Sequence, residues 1–354
     1  MVTSIQINGF KSIENIDLPL LSINILIGAN GAGKSNFITF FEFLNRLYDQ
    51  KLQVYIAQNG GADKILHKGS KITKDITCKI EFDDGKNAYS FIFSNTGNEF
   101  IFNAENLWYW SSNWQHIDFN FGKEAIIKQV NSDRANYIRN HINSLKKYHF
   151  HDTNKNSPFT KMSHIEKDVF YLYEKGDNLA AYLYHIQQKN PKAYQLIRKN
   201  IQSIAPYFSD FFLEPNEEGY LKLFWQDIYT STIYDTTDFS DGTMRFIALT
   251  TLFLQPNAPN CILIDEPELG LHPVAIAKLA GMIQSAAARG KQVIIATQSV
   301  ELLNYFEANE VITVNQKNGA SHFNRLNTAD LSVWLEEYSL GDLWQRNILI
   351  GGQP

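Results

Sequence analysis

The stretch Gly28-Ala29-Asn30-Gly31-Ala32-Gly33-Lys34-Ser35 constrains this chain more than any other. It fits G-x-x-x-x-G-K-[ST] at every fixed position. Glycines at those places let consecutive backbone N–H groups turn inward around an anion. Lys34 would bring a point charge to the β- and γ-phosphates of a nucleotide, and the Ser35 hydroxyl would serve Mg²⁺. The flanks agree with this reading. Ile23–Ile27 reads as a short buried strand, and Phe37, Ile38, Phe40, Phe41, Phe43, Leu44 and Leu47 recur at helical spacing. A strand, a glycine turn and a helix N-terminus together make a phosphate site. The loop alone does not choose between ATPase, GTPase and kinase.

Two later segments narrow the choice. Cys261-Ile262-Leu263-Ile264 is a short apolar run that ends in Asp265-Glu266, so it reads as a central strand with two carboxylates at its C-terminal end. Ligands of open α/β sheets bind at that edge. Asp265 suits the Mg²⁺ shell, and Glu266 suits orienting or deprotonating an attacking water. An acidic pair at a strand end also serves as a helix cap. Phe239-Ser240-Asp241-Gly242-Thr243 precedes the apolar helix of Ile247, Leu249, Leu252 and Phe253. Ser240 or Asp241 can cap that helix, or the helix start can form a second anion site.

This order of motifs resembles the ABC-type ATPase heads, and among them the SMC, RecF and OLD branch. Ile5-Gln6-Ile7-Asn8-Gly9-Phe10-Lys11-Ser12 is similar to the branch's first strand and "GFKS" turn. Gly28 to Asn36 is similar to its "GxNGAGKSN" loop, and Asp265 to Pro273 to its "DEPExGLHP" segment. The tail Trp334-Leu335-Glu336-Glu337-Tyr338-Ser339-Leu340-Gly341-Asp342-Leu343-Trp344 resembles compact bacterial ATPases found beside a TOPRIM-like partner in anti-phage defence. The resemblance implies an α/β fold: a P-loop NTPase head with a mixed central sheet, an antiparallel β subdomain and an inserted helical lobe. It implies ATP and Mg²⁺ as cofactors. Asn30, Gly31, Ala32, Gly33, Lys34, Ser35 and Asn36 would hold the nucleotide, with Ser35 and Asp265 on the metal and Glu266 catalytic. It further implies a homodimer in which Ser240, Asp241 and Gly242 of one copy reach the nucleotide of the other. The branch usually carries a His after the next strand. Here Gln298 follows Gln292–Ala296, and a glutamine donates a hydrogen bond without a cationic charge. Gln58 is the candidate for the branch's glutamine loop.

The function so implied is a Mg²⁺-dependent ATPase that dimerises around two ATP molecules. It would signal nucleotide state to a TOPRIM-like nuclease partner or to DNA, in anti-phage defence or DNA maintenance. A nucleotide-gated scaffold with negligible turnover and an ABC transporter motor subunit are the alternatives. No N/T-K-x-D guanine-reading motif is found, which disfavours a GTPase.

A chain that is 44% hydrophobic and 19% charged is globular, not disordered. No run of about 18 apolar residues occurs and no signal peptide is visible. Cys78 and Cys261 lie in apolar strand patterns, which suits buried thiols in a reducing cytoplasm. A net charge of −5 argues against a broadly basic surface for nucleic acid while leaving room for a local groove. The chain is expected to divide into 1–122 (phosphate loop and β meander), 123–234 (inserted, mainly helical lobe) and 235–354 (signature, Asp-Glu strand and tail). Thr77–Phe102 alternates as a meander, and the pattern from about 123 to 206 is helical. Within it, His149 and His151 could face one side of a strand as metal ligands, but without a further spaced partner they read as a polar segment. Lys123, Lys128, Arg134, Arg139, Lys146 and Lys147 read as a solvated face that could also meet phosphates. Trp108, Trp110 and Trp114 read as packing aromatics that could also stack on bases. The tail is either a strap on the head or a docking surface for a partner protein.

Overall fold

Alternation of Ile5 and Ile7 with polar neighbours gives Val2–Phe10 one buried face, as a period-two strand requires. In the computed structural model of the protein, which describes residues 1–97, 99–110, 114–119, 122–154 and 156–349, this strand belongs to a six-stranded antiparallel sheet. The order is Ile13–Pro19, Val2–Phe10, Asp75–Phe82, Asn87–Asn95, Phe100–Trp110, Trp114–Phe119. Registers such as Ile7↔Ile16, Ile5↔Ile80 and Cys78↔Phe91 put apolar residues opposite one another on the inner face. Trp108 Nε1 donates to Ser90 Oγ at 2.7 Å and Trp110 is exposed, while the side chain of Trp114 lies outside the described residues.

The chain divides into two compact units. The first holds residues 1–147, 260–263 and 290–354, and with them the antiparallel sheet. A second six-stranded sheet runs Ala320–Arg325, Val311–Lys317, Ile23–Ile27, Gln292–Thr297, Cys261–Asp265, Leu145–Tyr148. Ile23–Ile27 is buried at all five positions and pairs in parallel with Gln292–Thr297 and Val311–Lys317. Val311–Lys317 turns back through Asn318-Gly319, both at positive φ, into its antiparallel neighbour. The sheet is therefore mixed. The helix Lys34–Tyr48 buries Phe40 and Phe43 against Phe10 (5.0 and 5.4 Å between ring centroids) and Phe37 against Phe323 (5.4 Å). Each buried Phe contributes roughly 1.5–3 kcal/mol, so the helix that begins at the phosphate loop is firmly anchored.

The second unit holds residues 148–259 and 264–289. It contains the helices Leu179–Lys189, Pro191–Gln202, Asp241–Leu254 and Pro273–Ala288. An antiparallel sheet of Phe208–Phe212, Phe224–Asp227 and Ile233–Asp235 accompanies them, and the sequence pattern did not indicate it. Its anchor is Trp225, stacked between Phe239 (4.4 Å) and Tyr234 (4.8 Å).

Among the described residues, the expected helical stretch from 123 to 206 is α-helical only over Asp133–Asn143, Leu179–Lys189 and Pro191–Gln202, with one 3-10 turn at Pro158–Thr160. Ile126 and Ile127 form a turn because their N–H groups donate to the carboxylate of Glu105 (2.8 and 3.1 Å) instead of to a helix ladder. His149 and His151 lie beyond the strand Leu145–Tyr148, with their rings stacked 4.4 Å apart. A helix at Thr328–Leu335 and another at Leu340–Gln345 make up the described tail, and the glycine-rich end beyond Leu349 lies outside the described residues.

Candidate functional site

In the first unit the loop leaves the C-terminal end of Ile23–Ile27 and returns at Gly33 into the helix Lys34–Tyr48. Gly33 has φ 112°, which a side chain would strain, and an added Cβ would lie 2.0 Å from Ser321 Oγ. The N-cap of this helix is Gly33, so the cap residue itself offers no side chain to the first turn, as suits a helix start built to meet an anion. Lys34 is 5% exposed, and its Nζ donates to the carbonyls of Gly28 (2.6 Å) and Ala29 (3.1 Å). The ammonium is thus held inside the loop. Thr297 pairs with Ile27 in parallel register, so the exposed Gln298 emerges from the same sheet edge as Gly28.

The loop has a support that its motif does not disclose. Asn36 Nδ2 donates to Ser12 Oγ at 2.7 Å. Ser12 Oγ is 2.7 Å from Ser321 Oγ, and Ser321 Oγ is 2.6 Å from the Ala32 carbonyl oxygen. A carbonyl only accepts, so the Ser321 proton goes to Ala32 and the Ser12 proton closes the hydroxyl pair. Two hydroxyls from the turn after Val2–Phe10 and from Ala320–Arg325 thereby hold the loop's C-terminal half. Ser12 is visible within the "GFKS" turn, but Ser321 carries no sequence signal.

In the second unit Ser240 caps Asp241–Leu254, its Oγ accepting from Thr243 N at 3.2 Å. Asp241 Oδ1 accepts from Thr153 Oγ1 at 2.8 Å. Gly242 sits so close to the following turn that a Cβ would lie 2.2 Å from the Gly270 carbonyl oxygen. A cavity of about 370 Å³ opens here, lined by residues that include Ser240, Thr243, Gly270 and His272. Asp265 ends its strand with Oδ1 buried and without a hydrogen-bond partner among the described residues. Glu266 follows at φ 46°, a left-handed conformation that costs a non-glycine residue about 1–2 kcal/mol. Leu269 N donates back to the Glu266 carbonyl at 3.3 Å, closing the turn.

Residues 23–304 match the family described as "AAA domain, putative AbiEii toxin, Type IV TA system". The chain belongs to this family. The fold of this AAA-domain protein is that of SMC head domains. It superposes on a crystal structure of an SMC head bound to the C-winged-helix domain of ScpA with a TM-score of 0.58 at 17% identity, covering 94% of this chain and 99% of that one. The SMC head with an extended coiled coil bound to the C-terminal domain of ScpA, from Pyrococcus furiosus, gives 0.55 at 15% identity over 95% and 98%. A stretch of 65 residues, 18% of this chain, is 38% identical to the "Putative ABC transporter ATP-binding protein SCO2324" of Streptomyces coelicolor, and the match spans 11% of that protein's length.

Gln58 is the exposed last residue of the helix Leu52–Gln58. Much of the basic stretch is engaged locally. Lys123 lies 2.5 Å from Glu99 and Lys147 lies 3.0 Å from Glu42, while Arg139 donates to the carbonyls of Lys128 and Val130. No group of three or more His, Cys, Asp or Glu is arranged for a metal ion among the described residues. No helix among them is long and apolar enough to cross a membrane.

Proposed function

We propose that this chain is a Mg²⁺-dependent ATP hydrolase that works as a homodimer closed around two ATP molecules. The observation that carries this reading is the Lys34 ammonium drawn into a glycine loop at a helix start whose N-cap is Gly33, in a chain of the AAA family. Asn30, Gly31, Ala32, Gly33, Lys34, Ser35 and Asn36 bind the phosphates through loop N–H groups and the Lys34 charge. Ser35 and Asp265 hold Mg²⁺. Both offer hard oxygen donors, and the buried Oδ1 of Asp265, without a hydrogen-bond partner among the described residues, suits that role. When bound, the ion neutralises charge on the β- and γ-phosphates. Glu266 orients and deprotonates the attacking water, and Gln298 donates a neutral hydrogen bond near the γ-phosphate. Ser240, Asp241 and Gly242 approach the nucleotide held by the second copy.

The nucleotide state passes to a partner protein, for which a TOPRIM-like nuclease in anti-phage defence is the leading candidate, or to DNA. The Trp334–Trp344 resemblance supports the first, and the ScpA-bound SMC heads are a precedent for a head that binds a partner. The test is the mass of the Glu266→Gln protein with and without ATP–Mg²⁺. A doubled mass with ATP is expected, and an unchanged mass refutes the closed dimer. Lys34→Ala should abolish ATP binding. Gln298 favours a second reading, a nucleotide-gated scaffold with negligible turnover. Steady-state phosphate release with and without DNA separates the two.

A further inference from the structure

Glu266 carries the proposed hydrolytic role on a backbone that does not favour its own conformation, so something must hold it there. Two peptide groups flank its Cα, and both are tied down within the second unit. The carbonyl of Asp265, which precedes Glu266, accepts from His151 Nε2 at 2.7 Å. A carbonyl can only accept, so Nε2 carries the proton and the tautomer is fixed. The carbonyl of Glu266 itself accepts from Leu269 N at 3.3 Å. The Leu269 carbonyl in turn accepts from Arg245 Nη1 at 2.6 Å, and Arg245 Nη2 donates to the His151 carbonyl at 2.8 Å. The ring is closed: His151 to Asp265, through Glu266 to Leu269, to Arg245, and back to His151. Arg245 stands in the first turns of Asp241–Leu254, the helix whose start carries Ser240 and Gly242.

The geometry points to His151 and Arg245 as positioning residues for Glu266. They fix the φ and ψ of Glu266 through the two carbonyls beside it and join that setting to the Ser240 helix. Neither side chain needs to touch nucleotide. This inference rests on the reading of Glu266 as the residue that activates water. Catalytic carboxylates are sensitive to displacement, and a shift of about 1 Å can cost ~100-fold in rate.

The experiment compares steady-state ATP turnover and the affinity for a fluorescent ATP analogue with Mg²⁺ in wild type, His151→Gln, His151→Asn and Glu266→Gln. A glutamine amide reaches the place of Nε2, while an asparagine amide is one methylene too short. Both are polar and of similar bulk to the ring's inner half, so both should fold. His151→Gln is expected to keep kcat within about threefold of wild type. His151→Asn is expected to lower kcat about tenfold or more, with analogue affinity within about twofold. Equal kcat for the two variants, or an affinity loss parallel to the loss of kcat, overturns the positioning role. Wild-type turnover in Glu266→Gln overturns the reading of Glu266 itself. Loss of turnover in Glu266→Gln beside normal turnover in His151→Asn sinks the present inference alone. An undetectable wild-type rate removes both.

Discussion

Two glycines in helices of the second unit should respond to the same substitution with opposite sign. Gly281 lies exposed within Pro273–Ala288, and a Cβ added there meets nothing within 4 Å. Gly281→Ala should therefore return the helix-propensity difference, a gain of about 1 kcal/mol. Gly242 is the second residue of Asp241–Leu254. Its Cβ would stand 2.2 Å from the Gly270 carbonyl oxygen and 3.2 Å from the carbonyl carbon. The obstacle is backbone, so no rotamer change relieves it, and the oxygen must retreat by about 1 Å to reach van der Waals contact. Overpacking of this kind costs about 1–3 kcal/mol, which exceeds the helix gain. At about 2–4 °C per kcal/mol for a unit of this size, Gly281→Ala should melt a few degrees above wild type and Gly242→Ala a few degrees below. The displaced turn begins at Glu266, so Gly242→Ala should also lose ATP turnover while Gly281→Ala keeps it. Thermal unfolding followed by circular dichroism, with phosphate release on the same samples, decides the matter. A Gly242→Ala protein that melts at or above wild type would refute the close approach.

Ser321→Ala removes the donor that satisfies the Ala32 carbonyl at a position only 2% exposed. It should cost about 1–3 kcal/mol and weaken binding of a fluorescent ATP analogue, and unchanged affinity would count against the clamp. Burial pushes the Cys261 thiol up to about 12 and raises Cys78 well above the ordinary value. Both should resist a thiol-disulfide reagent at about pH 8 until the chain is denatured, since thiolate is the reactive form. Fast labelling of the native protein would contradict this. Burial also raises the pKa of Glu105, against the opposing hydrogen bonds from Ile126 N, Tyr89 Oη and Ile127 N. The folded chain then takes up a proton at a pH where the unfolded chain has already released its own. Wild-type stability should rise relative to Glu105→Gln as the pH falls through the raised value toward the ordinary carboxylate range. A pH-independent difference in denaturant unfolding would show that the carboxylate does not titrate as described.

Where a single physical period governs a segment, the residues alone disclose the structure. The apolar positions that mark Lys34–Tyr48 as a helix are the ones it buries, joined only by Lys34, whose burial follows from the loop. Cys78, Ile80 and Phe82, then Tyr89, Phe91 and Phe93, alternate into the sheet because a strand has period two. Long-range capture defeats such reading. Ile126 and Ile127 have helical spacing, yet Glu105 takes their N–H groups and fixes a turn. The sheet at Phe208–Asp235 escapes notice because its strands are only three to five residues long and its stability comes from Trp225 stacked on Phe239 and Tyr234. Nothing about His151 in sequence separates it from an ordinary polar residue, since its partner lies more than a hundred positions away.

The two supports that sequence patterns do not reveal share one property. Ser321 acts on the carbonyl of Ala32, His151 on that of Asp265, and Arg245 on those of Leu269 and His151. Each recipient is main chain, present whatever residue stands there. The requirement placed on the supporting side chain is therefore a donor of the right reach, not a particular chemistry. Lys34 and Glu266 differ, since in the proposed mechanism their charge meets the nucleotide or the water and cannot be exchanged. Substitutions that preserve a donor, such as Ser321→Thr or His151→Gln, should then be mild, whereas Lys34→Gln or Glu266→Gln, equally conservative in shape, should be severe. Similar losses in both groups, read by ATP turnover at saturating nucleotide, would mean that the supports act through more than the carbonyls they hold.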